Sequence, residues 1–524
     1  MDEKVIAAAR AAFPASTHSV ALGAVLHGGA CHPEPLVSLP LGMLNRHGLI
    51  AGATGTGKTR TLQLIAEQLS RAGVPVFISD VKGDLSGIAV PGEGGAKITE
   101  RATSCGYEWK PAGFPVEFLS LTGKHGAQLR ATVSSFGPLL LARVLGLNDT
   151  QTSVLAMVFA YCDDRGLLLL DFADLREVLR YLSTDGAEEL EDYGGMSKRS
   201  VGVLFREMVA LEQQGAESFF GEPAFEIGDL MRTMPDQHGL VSVLELQDVQ
   251  DKPALYSTFL LWLLATIYSQ LPEAGDLDKP KLVFFFDEAH LLFDGASKDL
   301  RDEVEKVVRL IRSKGVGIFF VTQSPKDLPS EVLGQLGNRV QHALRAYTAD
   351  DDKALRAAAR TFPRTDFYDI AETITTLGTG EAFVTVLGAK GVPTPPFAAR
   401  MVPPMARMAP LAAAEQEGMN AESTQVQEYA RAMDRESARE MLQSRVNAAA
   451  AANADTQEMP APRGADNTGR TKRSSKRTAA EEESVLGRLL NSPAGRSFSR
   501  AAGTAVSRTL MGALMSGLGF KKRR

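Results

Sequence analysis

The stretch LIAGATGTGKTRTLQ, Leu49–Gln63, decides the fold class. From Gly52 to Thr59 it fits the phosphate-loop pattern G-x-x-x-x-G-K-[ST] in full. The glycines let backbone N–H groups turn toward phosphate oxygens, and a following helix adds the positive end of its dipole. An apolar pair precedes the loop and a helical pattern follows it, which is the context that this motif requires. A chance Gly/Thr-rich turn is the alternative, and the flanking elements argue against it.

The loop residues have separate predicted roles. The predicted nucleotide-binding residues are Gly52, Ala53, Thr54, Gly55, Thr56, Gly57, Lys58 and Thr59. The Lys58 ammonium is expected to reach the β and γ phosphates of ATP, because the loop places it beside them. The Thr59 hydroxyl is expected to bind Mg²⁺. ATP and Mg²⁺ are therefore the predicted cofactors.

A second stretch, LVFFFDEAH (282–290), completes the predicted site. Five apolar residues predict a buried central strand, and Asp287 follows at its carboxyl end, where α/β sheets place ligand chemistry. Asp287 is predicted to bind the Mg²⁺, and Glu288 is predicted to polarise an attacking water. The alternative is a solvated acidic pair that caps the next helix, which the long apolar run does not favour.

Two further strand ends carry candidate site residues. GIFFVTQSP (317–325) ends in Gln323, whose amide could bridge the γ-phosphate or the attacking water and so act as a sensor. A turn-forming glutamine before Ser-Pro is the alternative. ISDVKGDLSG (78–87) places Asp80 and Asp84 at another strand end, either near the metal or in a plain turn.

The arginines after these strands are candidates for a role between subunits. In ring-shaped NTPases an arginine of one subunit stabilises transition-state charge at its neighbour's γ-phosphate. Arg339 is predicted to be this catalytic arginine, while Arg309, Arg312 and Arg345 compete with it. An arginine held in surface ion pairs is the alternative reading for each of them.

Strand patterns recur along the first 390 residues, and helical patterns alternate with them. The predicted strands are 49–52, 75–80, 115–121, 239–246, 281–288, 315–323, 339–344 and 381–387. Several are continuous runs of Val, Ile, Leu and Phe, which suit a parallel sheet covered on both faces. The class predicted is therefore α/β. Between about 138 and 236 only helical periods are found, which predicts a helical insertion. The segment HGGACH (27–32) is expected to be a loop rather than a metal site.

After residue 400 the strand pattern stops, and the last part of the chain is basic. Residues 401–455 are expected to form a helical extension, and 456–524 a disordered basic linker followed by a short amphipathic helix. From Arg463 onward there are 14 Lys/Arg against four Asp/Glu, so this tail carries +10 and the remaining 462 residues carry −16. An acidic body must bind DNA or RNA locally, in a groove, a pore or the tail. Weak contact of the tail with membranes or polyanions is also predicted.

Three features of the sequence bear on the cellular location of the protein. The three cysteines form no CxxC pair, the N-terminus lacks the features of a signal peptide, and a cytoplasmic location is predicted. The longest apolar run, 254–268, is shorter than the ~20 residues of a membrane span, so it is expected to be a buried helix.

The order of these parts resembles the additional-strand, catalytic-glutamate group of P-loop ATPases, with a RecA-like core. GATGTGKT, FFFDEAH and VTQSP resemble more narrowly the HerA–FtsK superfamily of DNA-pumping ATPases. NRHGLIAGATGTGKT, ISDVKGDLSG, VRLIRSKGVGI and LGQLGNRVQHALRAYT are similar to bacterial HerA-like helicases. The likeness covers about 40–400, so the chain divides into a lead segment 1–40, an ATPase core 41–400 and the extension and tail.

This resemblance implies a homo-hexameric ring with ATP between subunits, and DNA as a partner. It also implies for Lys58, Thr59, Asp287, Glu288 and Gln323 the roles given above. Archaeal HerA carries a β-barrel before its core that helps to dock a nuclease, and only 51 residues precede Gly52 here, too few to form one with a linker. A nuclease partner is therefore not implied. A DNA translocase or helicase is the leading function, and a protein-moving ATPase of secretion or conjugation and a membrane-associated scaffold are the alternatives.

Overall fold

The computed structural model describes residues 2–457 except 17, 276, 294–297, 389–390, 432 and 434. The basic tail after residue 463, with its predicted linker and amphipathic helix, lies outside the described residues. Within the described part, the strands of the chain join one mixed sheet. The strands are β1 (Ser19–His27), β2 (Ala30–Pro40), β3 (Gly48–Ala51), β4 (Val76–Asp80), β5 (Val116–Ser120), β6 (Ala127–Gln128), β7 (Val241–Glu245), β8 (Leu282–Phe286), β9 (Val316–Thr322), β10 (Asn338–His342), β11 (Glu381–Thr385) and β12 (Phe397–Met401).

The sheet has twelve strands in the order β2-β1-β12-β11-β10-β3-β9-β8-β4-β7-β5-β6. The run from β10 to β6 is parallel throughout, whereas β11, β12, β1 and β2 add antiparallel partners on the β10 side. Every residue of the central strands β3, β4, β7, β8 and β9 is buried. This is the burial expected of parallel strands covered on both faces. The predicted α/β class and all eight predicted strands are confirmed.

Helices cover the sheet and extend the chain. The described α-helices are α1 (Asp2–Ala12), α2 (Lys58–Arg71), α3 (Ala96–Ser104), α4 (Val133–Phe136), α5 (Pro138–Val144), α6 (Asp149–Arg165), α7 (Phe172–Ser183), α8 (Lys198–Gln213), α9 (Pro253–Gln270), α10 (Lys298–Ile311), α11 (Ser330–Leu333), α12 (Ala349–Ala359), α13 (Ile370–Thr376), α14 (Ala413–Glu422), α15 (Thr424–Ala430) and α16 (Ala438–Gln457). The apolar run 254–268 lies in α9, where ten side chains are buried. Among the helices described, none is long and apolar enough to cross a membrane.

The chain divides into two compact units. The first contains residues 1–130, 214–219 and 223–432, and it carries the sheet. The second contains 131–213, 220–222, 433 and 435–457 of the described residues, and its described elements include the helices α4–α8 and α16. Helices therefore fill most of the stretch predicted as a helical insertion. The exact domain boundaries that the sequence predicts stay predictions.

The N-terminal strands were not predicted. β1 and β2 form a hairpin whose turn contains Gly28 and Gly29, so the expected loop at HGGACH is wrong in part: Cys31 and His32 belong to β2. The hairpin joins the sheet because β1 pairs antiparallel with β12. β2 is the edge strand and contains three prolines, a composition that edge strands tolerate and that weakens a strand pattern in sequence.

Candidate active site

The phosphate loop is a fixed backbone turn at the carboxyl end of β3. The Gly52 N–H donates to the Thr322 carbonyl at 3.3 Å, and the Ala53 N–H donates to the Ala343 carbonyl at 2.8 Å. The loop is thus joined to the last residue of β9 and to the residue that follows β10. The Thr56 hydroxyl donates to the Ala53 carbonyl at 2.7 Å and closes the turn. The loop geometry is therefore set before any phosphate enters it.

His342 packs beneath the loop and explains its first glycine. A Cβ at Gly52 would lie 2.5 Å from the Cβ of His342, and Gly52 has a φ of +155. The imidazole lies 2.9 Å through Nδ1 from the Glu381 carbonyl oxygen, so Nδ1 carries a proton and donates. The Thr61 hydroxyl then donates to Nε2 at 2.9 Å. Burial lowers the pKa of His342 to about 4, so the ring is neutral.

Helix α2 points its amino end at the loop. Gly57, with a φ of 115, precedes its first residue, and no side chain caps the helix there. The first N–H groups of α2 are therefore available to an anion, and the helix dipole favours a negative charge at the same place. Lys58 opens the helix, and its Nζ donates to the Ala53 carbonyl at 3.2 Å. Burial lowers the pKa of Lys58, although the nearby Glu288 carboxylate opposes this effect.

The strand order brings the predicted site residues to one edge. β9 lies between β3 and β8, and β4 lies on the far side of β8. These strands are parallel, so their carboxyl ends meet at the edge that carries the loop. Gln323 follows β9, Asp287 and Glu288 follow β8, and Asp80 ends β4. β9, which Gln323 follows, therefore lies between the strand that leads into the phosphate loop and the strand that precedes Asp287 and Glu288.

The residues present fit a Mg²⁺ ion held jointly with phosphates. Asp287 is 2% exposed, and its Oδ2 has no hydrogen-bond partner among the described residues. Burial, and then the charge of Glu288, raises the pKa of Asp287 to about 7. A cation would satisfy that oxygen and favour the ionised form. No described group of three or more His, Cys, Asp or Glu is arranged to hold a metal alone. Mg²⁺ is commonly held by one or two protein ligands together with phosphates and water, and Asp287 is a ligand of that kind.

Glu288 is held in an unusual conformation beside Asp287. Its φ of 46 and ψ of 50 place it in the left-handed region, which is uncommon for a non-glycine residue. Its Oε1 forms an ion pair with Lys82, whereas its Oε2 has no hydrogen-bond partner among the described residues. Burial raises the pKa of Glu288, but Lys82, His290 and Gln323 outweigh that effect and leave the pKa below its usual value. The carboxylate is thus ionised and aimed at the edge where a γ-phosphate would lie.

Asp80 organises the turn that carries Lys82. Its carboxylate accepts from the backbone N–H groups of Lys82, Gly83 and Leu85 at 3.1, 2.7 and 2.8 Å. Asp80 therefore shapes a turn, and its charge also helps to raise the pKa of Asp287. A role for Asp80 near the metal stays a prediction. Burial, opposed by these N–H groups, raises the pKa of Asp80 to about 6. Glu245, at the end of β7, is also buried, and its pKa is raised to about 7 by burial and then by the charge of Asp80.

Arg339 lies at the opposite edge of the sheet from the phosphate loop. It belongs to β10, and Asn338 and Arg339 pair with Gly48 and Leu49 at the start of β3, the edge opposite the phosphate loop. Its guanidinium donates to the carbonyls of Leu336, Thr361 and Leu333 at 3.2, 3.1 and 3.1 Å. Within one subunit it cannot reach the loop of its own chain. A role at a neighbour's nucleotide stays a prediction.

Sequence reasoning missed two parts of this site. In the sequence Lys82 is only one residue of a predicted turn. Its ion pair with Glu288 could not be predicted, because a sequence does not show which strand ends are neighbours in the sheet. His342 gave no signal at all, since one histidine in an apolar strand is most often a core residue. In both cases the strand order shows which residues are neighbours of the site.

A phosphate loop, its lysine and a buried Asp-Glu pair on one edge of a RecA-like sheet define a P-loop ATPase. The family comparison narrows this class. The chain belongs to the HerA-like helicase C-terminal family, whose model matches residues 29–523. The resemblance predicted from the motifs is thereby confirmed.

Two curated relatives agree with this family. A probable helicase of Methanocaldococcus jannaschii is 30% identical over 154 residues, which cover 28% of this chain and 28% of that protein. The DNA double-strand break repair helicase HerA of Sulfolobus acidocaldarius is 22% identical over 358 residues, which cover 66% of this chain and 64% of that protein. The chain thus spans less than two thirds of the length of either relative.

Among solved structures, the bacterial conjugative coupling protein TrwB has a similar fold. The likeness has a TM-score of 0.51 at 15% identity and covers 77% of this chain and 93% of that chain. At this identity the likeness supports the RecA-like fold and nothing about the task.

Proposed function

We propose that this protein is a ring-forming motor that hydrolyses ATP to move along DNA, as a translocase or helicase. The observation that carries the proposal is the meeting of Lys58, Asp287 and Glu288 at one sheet edge in a chain of the HerA-like family. The names of both curated relatives describe helicases. The acidic body restricts the DNA contact to a local surface.

The proposed chemistry assigns one task to each residue. The N–H groups of the loop and of α2, with Lys58, bind the phosphates of ATP. Thr59 and Asp287 would hold Mg²⁺, which supplies charge that stabilises the transferring phosphoryl group. Glu288 orients a water for attack and accepts its proton, and Gln323, whose side chain helps to lower the pKa of Glu288, responds to the state of the γ-phosphate.

The proposed assembly is a homo-hexamer in which nucleotide lies between subunits. It rests on the family, and on the position of Arg339 at the edge opposite its own loop. A residue in that position can serve only a neighbouring subunit's nucleotide, if it serves one at all. Secretion-type transport of protein and scaffolding are the competing functions.

The test is the rate of ATP hydrolysis by the full chain with duplex DNA, single-stranded DNA, RNA or no polymer, each at two salt concentrations. A DNA motor gives a rate that rises with DNA and rises less at high salt, since phosphate contacts weaken with salt. The Glu288→Gln variant is the control for contaminating ATPase. A robust basal rate that no nucleic acid changes would instead favour a protein-moving or scaffolding ATPase.

A further inference from the structure

One cavity lies away from the phosphate loop. It has a volume of about 560 Å³ and opens at the edge where β3 and β10 begin and β11 ends. The phosphate loop follows the other end of β3, roughly 13 Å away at about 3.3 Å per strand residue. The volume falls within the range of roughly 300–1,000 Å³ that small-molecule sites occupy. The cavity is therefore distinct from the nucleotide site of the same subunit.

Arginines dominate its wall. Of fifteen lining residues, four are arginines, namely Arg46, Arg309, Arg312 and Arg339, and none is a carboxylate. His47 also lines it but contributes no charge, because burial lowers its pKa to about 4. Its Nε2 lies 2.8 Å from the Val308 carbonyl and its Nδ1 accepts from Ile318 N–H at 3.0 Å, so its role is structural. The wall thus has the charge of four guanidinium groups.

One of these groups, Arg339, is half-buried. Its hydrogen bonds go to the neutral carbonyls of Leu333, Leu336 and Thr361. A guanidinium has five N–H donors, so two remain for another acceptor. Burying a cation without an anion is costly, and an anion in the cavity would remove that cost. Arg309 and Arg312 are exposed where α10 ends, at the rim.

We infer that this cavity binds the backbone phosphates of a nucleic acid through Arg46 and Arg309, while Arg339 keeps its separate predicted role at a neighbour's nucleotide. Guanidinium groups recognise phosphate oxygens by paired hydrogen bonds. The body of the chain carries −16, so a polyanion needs a local place where arginines outnumber carboxylates. The inference rests on the proposed function, since it supplies the DNA contact that function needs. A free phosphate or nucleotide shares this chemistry, and the position of Arg309 at the end of α10 would also stabilise that helix without any ligand.

The experiment compares binding of a labelled duplex and a labelled single strand to the full chain over a series of KCl concentrations. The test variant is Arg46→Gln/Arg309→Gln, and the matched control is Arg10→Gln/Arg206→Gln, which removes two charges from exposed helix positions. We expect the test variant to bind about tenfold or more weakly at low salt. The slope of log affinity against log salt should fall by about 2, near 0.9 per lost phosphate contact. The control should match the parent.

Three results would overturn the inference. They are a test variant whose slope of log affinity against log salt equals that of the parent, a control variant that loses as much binding as the test variant, and a parent protein that binds neither polymer. Weaker binding of pyrophosphate or ATP with unchanged polymer binding assigns the cavity to small phosphates and overturns the nucleic-acid assignment. Arg309→Glu, at an exposed position, repeats the test if the double variant does not fold. If the parent binds DNA but DNA does not speed its ATP hydrolysis, the proposal of a DNA motor is wrong. The salt slopes of the test variant and the control still test whether the cavity binds nucleic acid.

Discussion

The Lys82 ammonium donates to the Glu288 carboxylate and joins the turn after β4 to the end of β8. The Glu288 side chain is 6% exposed and that of Lys82 is 46% exposed. The pair therefore fixes a buried acid, at a strained backbone position, with a partner that reaches it from solvent. Through this contact the turn that Asp80 organises controls where the proposed catalytic glutamate points.

Lys82→Met should lower kcat for ATP hydrolysis about tenfold, or ~1.4 kcal/mol, with little change in KM. The reason is that Glu288 loses its main restraint while the phosphate-binding residues stay in place. Lys82→Arg should recover part of the rate, since it restores the charge. Steady-state kinetics of both variants measure this. A rate that rises in Lys82→Met would mean that Lys82 holds Glu288 away from its catalytic position.

Lys58→Ala and Glu288→Gln should fail at different steps. Lys58→Ala removes the cation that faces the β and γ phosphates, so both ATP binding and turnover should be lost. Glu288→Gln should bind ATP as the parent does but turn it over at least about 100-fold more slowly, because the water has no base. Titration with a labelled nucleotide and a phosphate-release assay separate the two. Turnover at the parent rate in Glu288→Gln would exclude Glu288 as the base.

Arg339 is predicted to act on a neighbour's nucleotide. Arg339→Ala subunits keep an intact phosphate loop, and Lys58→Ala subunits keep the arginine. Each variant alone should be inactive, and mixtures should regain part of the activity if sites form between subunits. The activity of mixtures across several ratios measures this, after light scattering shows that the two variants assemble together. No recovery in assembled mixtures would assign Arg339 to the fold, through its three carbonyl partners.

The sequence predicted the parallel strands because both faces of each are buried, which produces unbroken apolar runs such as LVFFF in β8. It predicted the loop and Asp287 because a motif and the end of a run identify them. It could not predict β2, whose exposed, proline-bearing edge has no such run. Nor could it pair Lys82 with Glu288, since that contact depends on β4 and β8 being neighbours in space.

The basic tail is predicted to be dispensable for basal ATP hydrolysis and to attach the protein weakly to polyanions. Residues 463–524 carry +10, and such a charge attracts anionic polymers and membranes in a salt-dependent way. A chain that ends at Pro462 should hydrolyse ATP at the parent's basal rate but bind anionic vesicles and DNA less well at low salt. Co-sedimentation with vesicles and a gel-shift assay measure this. Loss of basal turnover would place the tail in the motor, and unchanged binding would exclude an anchor.

Glu67 gives the fold a pH dependence of its own. It lies in α2, fully buried, and its carboxylate accepts from Met405 N–H at 2.8 and 2.9 Å and from Ala406 N–H at 3.1 Å. These bonds tie the chain after β12 to the helix that follows the phosphate loop. Burial raises the pKa of Glu67 to about 8, although the two N–H groups oppose this. The folded protein therefore favours the neutral acid over the pH range where the unfolded chain is ionised.

The stability that the neutral acid contributes is complete below the unfolded pKa of about 4.3 and is lost as pH rises toward the folded value. That change is on the order of 3–5 kcal/mol across the whole window. Glu67→Gln does not ionise, so its melting temperature minus that of the parent should increase between about pH 5 and about pH 8. The exposed Glu100→Gln in α3 is the control and should show no such trend. Thermal melts at several pH values measure the difference. A constant difference for Glu67→Gln would mean that Glu67 stays ionised throughout, held by the N–H groups of Met405 and Ala406.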